Sequence, residues 1–499
     1  MPGAWFGVHT VRVSVAAPLA SAVRRENLPL RTVLGYGAGN FAFSLLGLVV
    51  AVNLQFFYTD YVGLSAGLVS WALLFARLFD AFVDPLMGWV SDRAHTRLGR
   101  RRPFIVGAAI PLGITFYLLF APPELANPAQ QQGRLLLYML GFYTLTFLVW
   151  TIGAIPYYSL GAELTDDYLE RTRVIAVREG WGLAGLLAAT ILPAYLIHLY
   201  GGRHGYAAMG AVLGAATAAF LLFSGLVARE RPEFQGRPAL NPYAGVAATF
   251  ENRPFRALLA AFASSAIAGA VPATLVIYVA VYIIGTPGWW TDSVPGWLPT
   301  WSYYLLLYFL SAVLSLPLWN RLARRAGKRA TWAVAIVLAI GTSAACFWLA
   351  PGTIGFFSAI LVVGGMSFGN YLALPPSIVA DLIDSDEAST GLRREGAYFA
   401  IWSFATKAGN AITGFAALQV LEHVGYLPGV PQTELVKTWM LWMYSWFPAL
   451  WYLISALALW GFRFTREDLE QAQRRIGRAG EALARGAPPG SQPGLRETP

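Results

Sequence analysis

Asp80 and Asp84 stand four residues apart in the otherwise apolar run Phe75-Ala-Arg-Leu-Phe-Asp80-Ala-Phe-Val-Asp84-Pro-Leu-Met-Gly88, and Lys407 stands alone in another hydrophobic run far downstream. A spacing of four puts both carboxylates on one face of a helix, with Arg77 bordering that face three residues before Asp80. Two ionised carboxylates this close repel, so the pair takes a cation or keeps a proton on one of its members. Carboxylate and hydroxyl oxygens suit a hard ion such as Na⁺, while a carboxyl that retains its proton suits H⁺. A structural ion pair closed by Arg77 is the plainer alternative, and Asp84-Pro85 also reads as a simple helix irregularity. Lys407, centred in Trp402-Ser-Phe-Ala-Thr-Lys407-Ala-Gly-Asn410, is one of three lysines in the chain, with Lys328 and Lys437. Its compact ammonium could replace a cation at the aspartates, or its stem could snorkel to an interface.

Ionised groups at membrane depth cost roughly 2.5–3.5 kcal/mol each on insertion scales, and the chain around these three is a membrane chain. Hydrophobic residues make up 56% and charged residues 13%, with a mean hydropathy of +0.52. Apolar blocks long enough to cross about 30 Å of hydrocarbon recur from end to end. They predict an all-α polytopic protein with twelve transmembrane helices, at 33–59, 66–91, 104–121, 134–162, 175–200, 205–228, 257–284, 300–320, 330–350, 353–380, 396–422 and 438–463. Cys346 is the lone cysteine, which leaves no disulfide framework and no cysteine metal site.

The net charge of +9 has a topological source rather than a nucleic-acid one. Arg93, Arg97, Arg100, Arg101 and Arg102 follow the second block, Arg171 and Arg173 the fourth, Arg229, Arg231, Arg237, Arg253 and Arg256 the sixth. Arg321, Arg324, Arg325, Lys328 and Arg329 follow the eighth, and Arg393 and Arg394 the tenth, whereas the opposite loops hold Arg134, Arg203 and Lys437. The positive-inside rule then places both termini in the cytoplasm of a multi-pass protein of the inner, cytoplasmic membrane. Segment 1–32 reads as a cytoplasmic lead-in without a signal-peptide h-region. Thr465-Arg-Glu-Asp468 has capping-box spacing and opens a tail, 464–499, that is partly helical and then disordered.

The loop Asp92-Arg93-Ala-His-Thr-Arg97-Leu-Gly99-Arg100-Arg101 recurs as Asn320-Arg321-Leu-Ala-Arg-Arg325-Ala-Gly327-Lys328-Arg329, each copy after the second helix of a six-helix half. Two such bundles, 33–228 and 257–463, joined by a long cytoplasmic connection at 229–256, resemble the major facilitator superfamily, in which two halves rock about a midplane site. The same offset carries Asp80 onto Tyr308 and Asp84 onto Ala312, so the scaffold repeats while the charges do not.

The ordered set Tyr58-Thr-Asp-Tyr-Val-Gly-Leu-Ser65, Arg77-Leu-Phe-Asp80-Ala-Phe-Val-Asp84-Pro-Leu-Met-Gly88, Ile155-Pro-Tyr-Tyr-Ser-Leu160, Ala380-Asp-Leu-Ile-Asp384 and Lys407-Ala-Gly resembles the glycoside-pentoside-hexuronide:cation symporters over most of the chain. The resemblance implies that Asp80 and Asp84 form the cation site with help from Thr151, that Lys407 couples it to sugar, and that Arg178 belongs to the sugar pocket. Arg77, Gly88, Asp92, Arg93 and Arg100 take gating or structural parts. Secondary active symport of a sugar or glycoside follows, with Na⁺ or H⁺ as coupling ion, no cofactor, a small-molecule substrate, no nucleic acid, and a monomer in the lipid bilayer.

Departures matter equally. Melibiose-transporting members carry sugar-binding aspartates where this chain has Ser44 and Ala154, a tryptophan where it has Tyr158, and an asparagine where it has Val83. Galactoside specificity therefore does not transfer. Ser44, Tyr158, Arg178 and Trp402 are the candidate substrate contacts, among further aromatics at Trp150, Tyr157, Trp181, Tyr371 and Tyr398 that packing alone would also explain. The aspartate pair with a lysine also resembles the sodium-coupled lysophospholipid transporters of vertebrates, which keeps an amphiphile open as substrate. A non-transporting sensor would keep the fold but has no use for the Asp80, Asp84 and Lys407 set. An enzyme is disfavoured: His9, His95, His198, His204 and His423 are scattered at loops and ends, and no glycine-rich phosphate loop appears.

Overall fold

Backbone amides and carbonyls have no water partner in hydrocarbon, so apolar runs of this length satisfy one another as helices. In a computed structural model of the protein, which describes residues 28–94, 96–124, 126–165, 168–228, 230, 249–390, 395–463 and 471, they do so throughout. The first half holds α1 (Leu30–Phe56), α2 (Ala66–Arg93), α3 (Arg102–Leu119), α4 (Gln132–Glu163), α5 (Tyr168–Tyr200) and α6 (Gly202–Val227). The second holds α7 (Arg253–Val279), α8 (Thr300–Ala326), α9 (Lys328–Ala345), α10 (Ile354–Thr390), α11 (Glu395–His423) and α12, which comes in two pieces, Glu434–Tyr444 and Trp446–Gly461.

Length and composition qualify α1 to α10 as membrane spans. α11 carries Lys407, and α12 breaks at Ser445 because the ring of Pro448 collides with the carbonyl of Tyr444 and offers it no N–H. A single span at 438–463 was the expectation. α10 runs ten residues past its expected end, to Thr390, and a short helix, Gly288–Ser293, precedes α8. Arg171, Arg173, Arg253 and Arg256, expected in loops, lie in the first turns of α5 and α7. The lead-in before residue 28, Arg393, Arg394, most of the central connection and the capping box at Thr465 lie outside the described residues.

Packing repeats as the sequence does. α1 packs on α5 and α6, α3 on α4 and α6, and α2 on α4; correspondingly α7 packs on α11 and α12, α9 on α10 and α12, and α8 on α10. Between the halves α2 meets α11, α5 meets α8, and α1 meets α7, the pattern a pseudo-twofold axis generates. Both leading helices end alike: α1 continues as a π-helical turn at Phe57–Val62 and α7 as one at Ala280–Ile284. Such turns expose backbone and often mark working positions. Here they hold the halves together, because the Asp60 carboxylate accepts hydrogen bonds from the hydroxyls of Tyr282, Tyr426 (2.6 Å) and Thr59 (2.6 Å). Nearby, Glu422 accepts from the Gly67 amide at 3.1 Å and Gln419 donates to Ser70 at 2.9 Å. At the opposite, basic end the ion pairs Arg100–Glu163 (2.7 Å), Arg101–Asp92 (3.1 Å) and Lys328–Asp381 (2.6 Å) stay within one half each.

Candidate functional site

α2 is helical through Pro85 and holds Asp80 near the middle of its 28 residues, so both carboxylates emerge on one face at half depth. Asp80 is 2% exposed. Thr151 on α4 places its hydroxyl 2.7 Å from Asp80 Oδ1 and 3.1 Å from Asp84 Oδ1. One hydroxyl proton serves one carboxylate at a time, so Thr151 leaves the pair short of donors. The deficit is filled from the other half of the molecule: Lys407 Nζ on α11 lies 2.8 Å from Asp80 Oδ2 and also bonds Asp84 Oδ2.

Arg77 does not close the pair. Its guanidinium lies 4.0 Å from the centre of the Phe147 ring and 5.9 Å from that of Tyr143, both on α4, and it makes no ion pair among the described residues. Spacing of three would have allowed the bond to Asp80. Lys407 and Thr151 already occupy that carboxylate's oxygens, and the aromatic faces offer the guanidinium an alternative.

A cavity of about 620 Å³ opens between the halves beside this cluster. Ser44, Trp150, Tyr158, Tyr371, Thr406 and Asn410 line it together with Arg77, on a wall that is otherwise mainly aliphatic and aromatic. Tyr158 donates to Asn40 at 3.2 Å, and the Arg178 guanidinium stands 5.3 Å from its ring centre. Arg178 is itself matched, since Nε donates to Glu179 Oε1 at 3.0 Å. Trp402 is placed differently from the expectation of a substrate contact. It is 7% exposed and stacks on Phe262 with ring centres 3.6 Å apart, because α7 and α11 pack face to face at that level. Tyr157 and Tyr398 are likewise buried in the helix packing, and Trp181 sits edge-on to Phe41.

The gating candidates gather at the basic end. Arg93 covers the Trp89 ring at 4.0 Å, while Asp92 and Arg100 join Arg101 and Glu163 in one ion-pair cluster. Gly88 is loosely surrounded, with Ile155 Cγ2 3.9 Å from where its Cβ would stand. Sequence reasoning missed Glu230, whose carboxylate accepts the backbone N–H groups of Arg100 (2.6 Å), Arg101 (2.7 Å) and Arg102 (2.7 Å). It also missed Asn40, one turn before Ser44, and gave Asp60 no role.

Comparison with known proteins agrees with this architecture. Residues 35–466 match the family described as MFS/sugar transport protein. The inner membrane symporter YicJ of Escherichia coli (strain K12) is 27% identical over 467 residues, covering 91% of this chain and 97% of that one. The isoprimeverose transporter of Lactiplantibacillus pentosus is 25% identical over 478 residues, covering 93% of this chain and 96% of that one. The crystal structure of the nucleoside transporter NupG shares the fold with a TM-score of 0.61 at 15% identity, covering 88% of this chain and 100% of that one. With two six-helix halves, a cavity between them and the family's pattern running through most of its length, the chain belongs to the MFS/sugar transport family and is a secondary transporter, not an enzyme.

Proposed function

We propose that the protein carries a sugar or glycoside across the inner membrane by cation-coupled symport, with Asp80, Asp84 and Thr151 as the cation site and Lys407 as the group that couples it to substrate. The observation that carries this is the seat of the Lys407 ammonium, between two carboxylates of the opposite half. An ammonium there does what a bound cation would do: it offsets the repulsion between two like charges that burial would otherwise make costly. Arrival of a cation releases Lys407, and with it a contact between α2 and α11 that ties the halves together. Ligand energy is thereby linked to the relative position of the halves, and linkage requires the substrate to tighten the cation by the factor by which the cation tightens the substrate.

The cross-half hydrogen bonds around Asp60 and the cavity between the halves support a form closed at the Asp60 end. With both termini cytoplasmic, that end is the outer one and the cavity opens inward. The family description and the name of the isoprimeverose transporter support sugar as substrate, and the name of the YicJ symporter supports symport. Ser44 and Tyr158 face the cavity as substrate contacts, with Arg178 held behind Tyr158. The test is uptake into proteoliposomes of mono- and disaccharides, glycosides, uronides and lysolipids under an imposed Na⁺ or H⁺ gradient. Uphill accumulation of a sugar driven by one of the two gradients is the expected result. Accumulation that ignores both would sink cation coupling, and accumulation of lysolipids instead of sugars would sink the substrate class.

A further inference from the structure

We infer that Asn40 is a positioning residue for the substrate site: it fixes the Tyr158 hydroxyl as an acceptor toward the cavity, so the sugar meets Tyr158 with a hydroxyl that donates. This rests on the symport reading above and gives the direction of one hydrogen bond in its substrate site. Asn40 lies on α1 and is 5% exposed, a depth at which a carboxamide is costly unless its ends are bonded. Its Nδ2 stands 3.0 Å from the main-chain carbonyl of Arg178 on α5, and its Oδ1 3.2 Å from the hydroxyl of Tyr158 on α4. A carbonyl has no proton to give, so the end of the amide that faces it is the nitrogen. The oxygen is then the end that faces Tyr158, and it takes that hydroxyl's single proton. What Tyr158 has left for the cavity is a lone pair.

Helix packing holds this arrangement in place. α5 comes against α1 at Gly182, where a Cβ would stand 2.4 Å from Asn40 Nδ2 and 3.1 Å from Ser44 Oγ, so the absent side chain is the room the amide occupies. Turning the carboxamide over would set its oxygen against the Arg178 carbonyl and leave both acceptors without a donor. The Arg178 guanidinium stands 5.3 Å from the Tyr158 ring centre. One buried side chain thus ties down both the hydroxyl of that ring and the backbone of the residue beside it. Tyr158 and Ser44 line the cavity, and Asn40 stands behind them. A sugar hydroxyl rotates to donate to a fixed acceptor, whereas an ether oxygen or a fluorine in its place has no proton to offer.

The experiment uses the full chain in detergent. D-Xylose, D-glucose, D-galactose and their methyl β-glycosides are screened by thermal shift, and a sugar that binds is compared with its monodeoxy and monodeoxyfluoro analogues at each hydroxyl. At one hydroxyl both analogues are expected to bind about 2- to 10-fold more weakly than the parent, the scale of one net hydrogen bond, and both differences should vanish in Tyr158→Phe. In Asn40→Ala the Tyr158 proton is free to turn to the ligand, so the deoxyfluoro analogue should regain affinity relative to the deoxy one. Gly182→Ala, whose methyl pushes the amide aside, should act in the same direction. The inference is overturned if the deoxyfluoro analogue binds the wild type as well as the parent at every hydroxyl, or if Asn40→Ala and Gly182→Ala weaken parent, deoxy and deoxyfluoro sugars by one common factor. A cycle of Asn40→Ala and Tyr158→Phe melts without ligand tests the bond by itself. Less than additive losses in the melting midpoint are expected, and additive losses would remove Asn40 as the group that holds Tyr158. Binding of none of these sugars would sink the sugar reading and the donating hydroxyl with it, while the melts still decided what Asn40 holds.

Discussion

α2 and α8 occupy the same place in the two halves and are filled on opposite principles. α2 faces α4 and α11 with charged and polar groups: Asp80 and Asp84 reach Thr151 on one side and Lys407 on the other. α8 offers Tyr308 and Ala312 at the equivalent positions, and there the partner helix α10 comes so close that a Cβ at Gly365 or Gly369 would run into the Tyr308 or Ala312 carbonyl. At the same distances from the start of α4 stand Tyr143 and Phe147, over which Arg77 lies. One helix is spaced from its neighbours by ionic side chains, the other locked to its neighbour through backbone contact. The first can change partners when an ion arrives, and the second is built to hold.

The largest effect should come from making α2 resemble α8. Asp84→Ala, which installs the residue found at position 312, and Lys407→Ala are each expected to abolish cation-driven accumulation, a loss of at least about 100-fold in the steady-state gradient. Lys407→Ala also strands the buried carboxylate of Asp80 beside the half-buried one of Asp84, a defect of about 3–5 kcal/mol in comparable cases. Added coupling ion should restore most of that lost stability, because it binds the folded state where the ammonium was. Undiminished uphill uptake in either variant would show that α2 owes its charges to something other than coupling.

Making α8 resemble α2 in spacing should act on stability instead. Gly365→Val or Gly369→Val forces α8 and α10 apart and is expected to cost about 1–3 kcal/mol by overpacking. Detergent thermal melts measure this, and protein that survives insertion should keep its ratio of ions to substrate. A changed ratio would mean that α8 also takes part in coupling.

A smaller effect belongs to the π-helical turns. Asp60→Asn keeps an acceptor for Tyr282 and Tyr426 but removes its charge, which weakens the cross-half bonds by about 1 kcal/mol and shifts the equilibrium toward opening at that end roughly fivefold. Thiol labelling of a cysteine at Gln55, applied from the Asp60 side, should speed up by about that factor. An unchanged rate would remove Asp60 from the gate.

Periodicity and hydropathy made the twelve helices and the repeat readable, because a span must be long, apolar and helical whatever it packs against. The shared face of Asp80 and Asp84 was equally readable, since spacing along one helix fixes it. Choices between competing partners were not readable. Arg77 was in reach of Asp80 by spacing, but its position depends on the Phe147 face and on Lys407, which lies 327 residues from Asp80 in sequence. Trp402 resembled a cavity aromatic until the crossing of α7 and α11 turned it onto Phe262. The break in α12 had a local signal in Pro448, outweighed by the continuous hydropathy on either side of it.

The two copies of the basic loop sharpen the comparison further. Gly99 and Gly327 are equivalent in the repeat and both sit at positive φ, 109° and 84°. A Cβ at Gly327 would meet nothing within 4 Å, so Gly327→Ala should cost the backbone strain alone, about 1–3 kcal/mol. A Cβ at Gly99 would stand 2.6 Å from the Glu230 carboxylate, which holds three successive amides at the start of α3. Gly99→Ala should therefore cost the same strain plus about 1.5–3 kcal/mol for the displaced charged acceptor. In the double variant with Glu230→Ala the extra cost has already been incurred, and the glycine substitution should fall back to the Gly327→Ala value. Additive losses in that cycle would mean that Gly99 is required for its backbone conformation alone, as its copy in the second half is.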